Sequence, residues 1–319
     1  MKLQHYLLIL AVSIAAPFLM HNYLVQLGFV WIMVVLALSW DTTGGQMGYN
    51  SFGNVIFFGI GMYACAVFQR DSGLGYFPAL LLGMGIGGVF AMLTAAILGN
   101  ALLGMRGHYF SIGTLGLGVA FGELAGGWDY IGAGSGMTTP LYHGNLETRN
   151  LIFYFLFFAW AILTFFILRG LYRSRFGLAI NAIRDNEEKA EAMGIHTTRY
   201  KVASWIISAW FLGVIGGGAG NLMGFIDPKD VAFSDSTFGV YMILMAITGG
   251  KGTLWGPVIG AVVFYTSQEL FWTLLLGWQR VAMGLLIVLI VLFFPQGILG
   301  WLRQRFPQRF APDSKTADE

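Results

Sequence analysis

Residues 247–253 read ITGGKGT, a lysine among glycines, the combination that cradles phosphates when backbone N–H groups and an ammonium converge on one anion. The spacing fails that chemistry. A phosphate loop needs a glycine five residues before the second one, where this chain has Met245, and Ser or Thr after the lysine, where it has Gly252. Gly249, Gly250 and Gly252 lie between apolar runs and read as a tight turn or helix break. His5, His21, His108, His143 and His196 share no ligand spacing, so no metal site is predicted. A lone Cys65 excludes an internal disulfide framework. With no nucleophile elbow and no paired catalytic carboxylates, the chain reads as a non-enzyme without a cofactor of its own.

A second set of polar residues sits inside apolar sequence. Asp41, Thr42, Thr43, Gln46, Asn50, Ser51 and Asn54 follow the second apolar run. Ser111, Thr114 and Glu123 lie on the fifth, and Ser204 and Ser208 on the seventh. Charged side chains at membrane depth cost about 2.5–3.5 kcal/mol on insertion scales, so they face a cavity or a partner. Ser and Thr can instead bond back to a carbonyl of their own helix. Asp41 and Glu123 are harder to dismiss, unless each sits at a span end in water. Glycine-rich runs at 44–53, 113–118 and 213–220 read as helix breaks that would offer backbone groups to a polar ligand.

The elements that must position these residues are membrane helices. Of 319 residues, 56% are hydrophobic and only 11% charged, whereas a soluble domain is roughly a quarter charged. The apolar runs are near the ~20 residues that cross a hydrocarbon core. Candidate spans are 6–20, 23–40, 53–68, 77–103, 110–126, 151–171, 202–225, 238–248, 254–275 and 281–302. The predicted fold is all-α and polytopic, with roughly 8–10 transmembrane or re-entrant helices, some broken at glycine. The run 238–248 is too short to cross alone. The opening residues could pass for a signal peptide, but the many later spans favour a retained first helix.

Arg169, Arg173, Arg175, Arg184, Lys189, Arg199 and Lys201 crowd one loop, and Arg303, Arg305, Arg309 and Lys315 the tail. Four spans separate the two groups, so the positive-inside rule puts both in the cytoplasm, with Lys2 and Arg106. Residues 128–149 fall outside, as does Arg70, an exception beside Asp71. Both termini are then cytoplasmic. The organisation is a transmembrane body at 1–302, a cytoplasmic loop at 173–200 and a polar tail at 303–319. A net charge of +2 gives no reason to expect a nucleic-acid partner.

The loop reads as one or two short helices. Asp185 with Glu188 looks like a capping box, and Gly194 is placed to end the helix. Ala190, Met193 and Ile195 form an apolar face; Glu187, Glu188 and Glu191 form an acidic one. Helices lying on membranes carry Lys and Arg on the polar face, and one of about two turns is unstable alone. A protein socket therefore suits this helix better than lipid.

AIRDNEEKAEAMGI (182–195) followed by TTRYKVASWIISAWFLGVIGGGAG (197–220) resembles the coupling loop of LivM-type permeases of branched-chain amino acid ABC importers. LSWDTTGGQMGYNSFGNVIFFGIGMYA (38–64), LGMRGHYFSIGTLGLG (103–118) and ITGGKGTLWGPVIGA (247–261) resemble further signatures in the same order. The resemblance implies a subunit of a bacterial inner-membrane importer for branched-chain or other hydrophobic amino acids. Its implied partners are two cytoplasmic ATPase subunits carrying ATP and Mg, a second, LivH-like permease, and an extracytoplasmic substrate-binding protein. It further implies that Arg184, Glu187, Glu188, Ala190, Glu191, Ala192 and Gly194 couple to an ATPase. An amino-acid zwitterion would suit a site among the broken helices, its side chain resting against Phe57, Phe58 or Phe110. Departures cluster there: Asp41 where the family commonly has Asn, Asn54 where it often has His, Val119 at the usual acidic position with Glu123 one turn on, and IGAGSGM (131–137) in the external segment. A urea or short-amide permease of the same family, another small organic solute permease, and a self-contained secondary transporter or channel are the competing readings.

Overall fold

The computed structural model describes residues 3–305 apart from Arg106 and Pro295. Lys2, Arg106, Arg309, Lys315 and the tail beyond 305 lie outside the described residues. The helices are α1 (Leu3–Leu19), α2 (Leu24–Asp41), α3 (Val55–Asp71), α4 (Tyr76–Leu102), α5 (His108–Gly126), α6 (Leu146–Tyr172), α7 (Arg175–Asp185), α8 (Glu187–Ala192), α9 (Thr197–Met223), α10 (Val240–Gly249), α11 (Trp255–Leu274), α12 (Gln279–Phe293) and α13 (Gly297–Arg305). One short antiparallel pair, β1 (Met137–Thr138) with β2 (Phe225–Ile226), matches Met137 to Ile226. The chain is an all-α polytopic membrane protein. Among the described residues, five helical runs are long and apolar enough to cross a bilayer: His21–Gln46, Tyr76–Leu102, Leu146–Tyr172, Thr197–Met223 and Pro228–Gly249. The short candidate at 238–248 is thus lengthened by two π-helical segments, Pro228–Ala232 and Asp235–Gly239, that precede α10. A sixth candidate is bent: α5 and the segment Asp129–Ser135 meet at 84°.

The centre of the bundle is α3, α4 and α9, held backbone to backbone. A Cβ on Gly61 would overlap the Gly213 carbonyl, one on Gly213 would sit 2.7 Å from the Gly87 carbonyl oxygen, and one on Gly216 would overlap the Phe58 carbonyl. Small residues permit such approach in membranes. Two of the expected breaks are therefore wrong: 113–118 and 213–220 run as uninterrupted helix within α5 and α9. The third is real. After α2 the chain enters a π-helical turn, Thr42–Gln46, and leaves helical geometry until α3, with Gly48 at φ +83°. The last predicted span also divides: α12 stops at Phe293 and α13 restarts at Gly297, whose φ is +74°.

The loops assigned to one side of the membrane do gather at one end. Asp41 meets the 250–252 turn, Thr42 meets Tyr172 at 2.9 Å, and Lys201 meets the Leu103 carbonyl at 2.7 Å. At the opposite end Arg70 pairs with Asp71 at 2.8 Å and donates to the Tyr130 carbonyl at 3.0 Å, while Tyr130 donates to Asp71 at 2.7 Å. The exceptional arginine is thus neutralised within its own loop.

Candidate functional site: a capped elbow beneath a broken helix

The loop between α6 and α9 folds as two short helices because each end is supplied with a cap. Ser174 accepts the Phe176 N–H at 3.2 Å to start α7. Asn186, extended at φ −165°, accepts the Lys189 N–H at 2.9 Å to start α8. The cap is therefore Asn186; Asp185, the expected one, is the last residue of α7. Gly194 terminates the elbow as its sequence position suggests. Its φ is +86°, its N–H bonds the Glu191 carbonyl at 2.9 Å, and Ile195 N–H reaches back to the Ala190 carbonyl at 3.0 Å. That bond pair is a Schellman termination.

Burial then sorts the elbow's residues into two sets. Ile180, Ile183 and Ala190 pack inward. So does Glu187: its carboxylate is 13% exposed, receives Lys201 Nζ at 2.7 Å and accepts the Tyr49 hydroxyl. Lys201, itself 3% exposed, also lies 3.2 Å from the Tyr49 oxygen. Glu187 and Ala190, which the resemblance implied as coupling residues, thus make contacts within this chain. They fasten α8 to α9, to the end of α4, and to the non-helical segment after α2. Outside lie Arg184, Glu188, Glu191, Ala192 and Gly194, together with Met193 of the apolar face, 82% exposed. Arg184 is paired along the chain with Asp185 at 3.1 Å, and Glu191 accepts the Thr197 hydroxyl at 2.6 Å. A Cβ at Gly194 would meet nothing within 4 Å. The outer face is thus a small, acidic, glycine-ended knob on a rigid mount.

Behind the knob, the polar residues read as pathway candidates are mostly pins. Asp41 is buried and accepts the Gly252 N–H at 2.7 Å, tying the broken end of α2 to the glycine turn between α10 and α11; Gln46 Nε2 approaches its other oxygen at 3.5 Å. That turn has Gly250 at φ +118° and Gly252 at φ +75°. Thr42 bonds back to the Leu38 carbonyl at 3.2 Å. Trp40 donates to the Ser51 carbonyl at 2.7 Å. Asn54 accepts from Trp205 at 2.8 Å and donates to Ser208 at 3.3 Å, and Ser208 donates to the Ser39 carbonyl at 2.8 Å. Ser111 donates to the Asn50 carbonyl at 2.7 Å, and Thr114 accepts the Phe52 N–H at 3.1 Å. Asn50 itself is exposed. Phe57, Phe58 and Phe110 are wholly buried in the core rather than lining a passage. Glu123 is exposed near the far end of α5, 2.8 Å from Lys229.

Lys201 and Tyr49 escaped the sequence reading as site residues. Lys201 was counted only as one more loop charge, and Tyr49 lay unremarked inside a glycine-rich stretch. A buried lysine needs a partner, but nothing local to 201 names one 14 residues earlier and another 152 residues earlier.

The chain matches the family described as branched-chain amino acid transport system, permease component, over residues 22–293. It is 26% identical to the high-affinity branched-chain amino acid transport system permease protein LivM of Salmonella typhimurium, covering 92% of this chain and 74% of the relative. LivM of Escherichia coli K12 is 25% identical over the same shares. The probable branched-chain amino acid transport permease protein LivH of Methanocaldococcus jannaschii is 29% identical over 41% of this chain and 42% of its own. No solved structure gives a significant match. With the match spanning most of the bundle, from before α2 to the end of α12, the chain belongs to the family of branched-chain amino acid transport permease components.

Proposed function

We propose that this chain is the LivM-like subunit of an ABC importer for branched-chain or other hydrophobic amino acids, working with a second, LivH-like permease. The elbow of α7 and α8 docks on cytoplasmic ATPase subunits, which carry the ATP and Mg. An extracytoplasmic binding protein delivers substrate at the end bearing Arg70 and Tyr130, and both chain termini lie in the cytoplasm. The observation that carries the reading is the elbow's division of labour. Glu188, Glu191, Ala192 and Gly194 face outward, while Glu187 and Lys201 hold the mount. A push on the knob then reaches α9 and the broken segment after α2 as one displacement, because packed interfaces switch and do not bend gradually.

Glu188→Cys tests the docking. Cross-linking in the assembled complex is expected to join residue 188 to an ATPase subunit, in a yield that changes when ATP binds. Labelling of residue 188 from the outer face of intact cells would reverse the orientation and end the proposal. Calorimetry of leucine on the delivery protein tests the substrate: saturable binding is expected, and binding of urea with none of leucine would replace the amino acid.

A further inference from the structure

The end of the bundle away from the elbow holds a cavity of about 860 Å3 between α3, α4 and α5. Tyr63, Phe90, Phe121, Trp128, Tyr130 and Phe233 supply aromatic walls. Phe233 stands at its inner edge, stacked on Tyr63 at 6.0 Å and tilted against Phe121 at 6.1 Å. On α5, Gly122 faces the Phe233 Cβ, while Gly118, one turn away, is where a Cβ would overlap the Asp235 carboxylate. Asp235 therefore lies about one helical turn, roughly 6 Å, past the aromatic wall.

Two polar groups beside that wall have no structural employment. Among the described residues, Asp235 Oδ1 is buried with no hydrogen-bond partner, and so is the Tyr63 hydroxyl, on a residue only 6% exposed. Asp235 does not cap its own helical segment: the cap position is Ser234, and no side chain bonds there. The nearest described cation on the preceding segment, Lys229, is engaged by Glu123. Asp235 as a residue is only partly buried, so its carboxylate is reachable, and a shielded carboxylate oxygen without a partner marks a place where a cation can be received from outside the fold. The Phe52 carbonyl borders the same space, 3.5 Å from where a Cβ on Gly239 would stand, as is Asp235 Oδ1.

We propose that this cavity binds the amino-acid substrate: the aromatic walls take the apolar side chain, Asp235 receives the ammonium, and the Tyr63 hydroxyl donates to the carboxylate. This rests on the amino-acid reading above and names the residues that would recognise the zwitterion. The test uses the complete complex in proteoliposomes with leucine. Asp235→Asn is expected to lower leucine uptake at least about tenfold and Asp235→Glu only about threefold, with each variant chain still inserting and assembling with its partners. Tyr63→Phe is expected to raise the half-saturating concentration of loaded binding protein for leucine uptake. A second measurement needs no variant: carbodiimide modification of Asp235 in the unmutated complex, read by mass spectrometry, is expected to slow when leucine is being delivered. Near-normal uptake by Asp235→Asn, or equal modification with and without leucine, overturns the assignment. If the unmutated complex moves no leucine, it is the substrate reading that has failed.

Discussion

At the scale of single residues, the ion pair of Glu187 with Lys201 carries the mount of the elbow. Removing one member of a buried pair strands the other, at about 3–5 kcal/mol. Lys201→Met is expected to lower the thermal transition of the purified chain sharply, and Glu187→Gln added to it to restore part of the loss. A double variant no better than the single one would show that the pair does not act as a unit. Asp41 offers a milder case. Asp41→Asn keeps an acceptor for the Gly252 N–H and should fold nearly normally, whereas Asp41→Leu leaves that N–H unpaired at about 1–3 kcal/mol. Scanning calorimetry separates the two. The type of Asp41 announced that something held it, whereas Glu187 and Lys201 read only as loop charges. Their partners were not legible, because Asp41 and Gly252 are 211 positions apart, and only the closed fold brings them together.

At the scale of elements, glycine is the residue that misled. The runs 44–53 and 213–220 are both glycine-rich, yet the first breaks a helix and the second lets α9 lie against α3 and α4. What separates them is the neighbour: Gly48 needs a positive φ, whereas Gly216 needs only absence of a side chain against the Phe58 carbonyl. Gly216→Ala should therefore destabilise by about 1–3 kcal/mol, the cost of overpacking, despite alanine's better helix propensity. Gly170→Ala on α6, where a Cβ meets nothing, should leave the transition unchanged or raise it. Equal effects at both positions would refute close packing as the reason for glycine in α9. The caps were half legible. Gly194 stood where a helix must stop, but the start lay one residue from where the acidic pattern placed it, since an Asn side chain can accept the same N–H as an Asp.

At the scale of the molecule, alternation of spans and distribution of Lys and Arg were enough to sort the loops into two ends, and the fold keeps those ends apart. The outward knob, the buried pair above it and the broken α2 end form a continuous column at one end; the aromatic cavity and Asp235 lie toward the other. Asp235 went unread because its neighbours in sequence, a π-helical stretch before a short apolar run, looked like a loop. A transporter driven from the knob must fail when the knob is blunted, even though nothing in the membrane is touched. Leucine uptake by proteoliposomes holding the complete complex, with ATP inside, measures this most directly. Glu191→Lys or Gly194→Trp should reduce uptake to background while each variant chain still inserts and assembles with the second permease. Undiminished uptake by both variants, or leucine transport by this chain alone without ATP, would contradict the account.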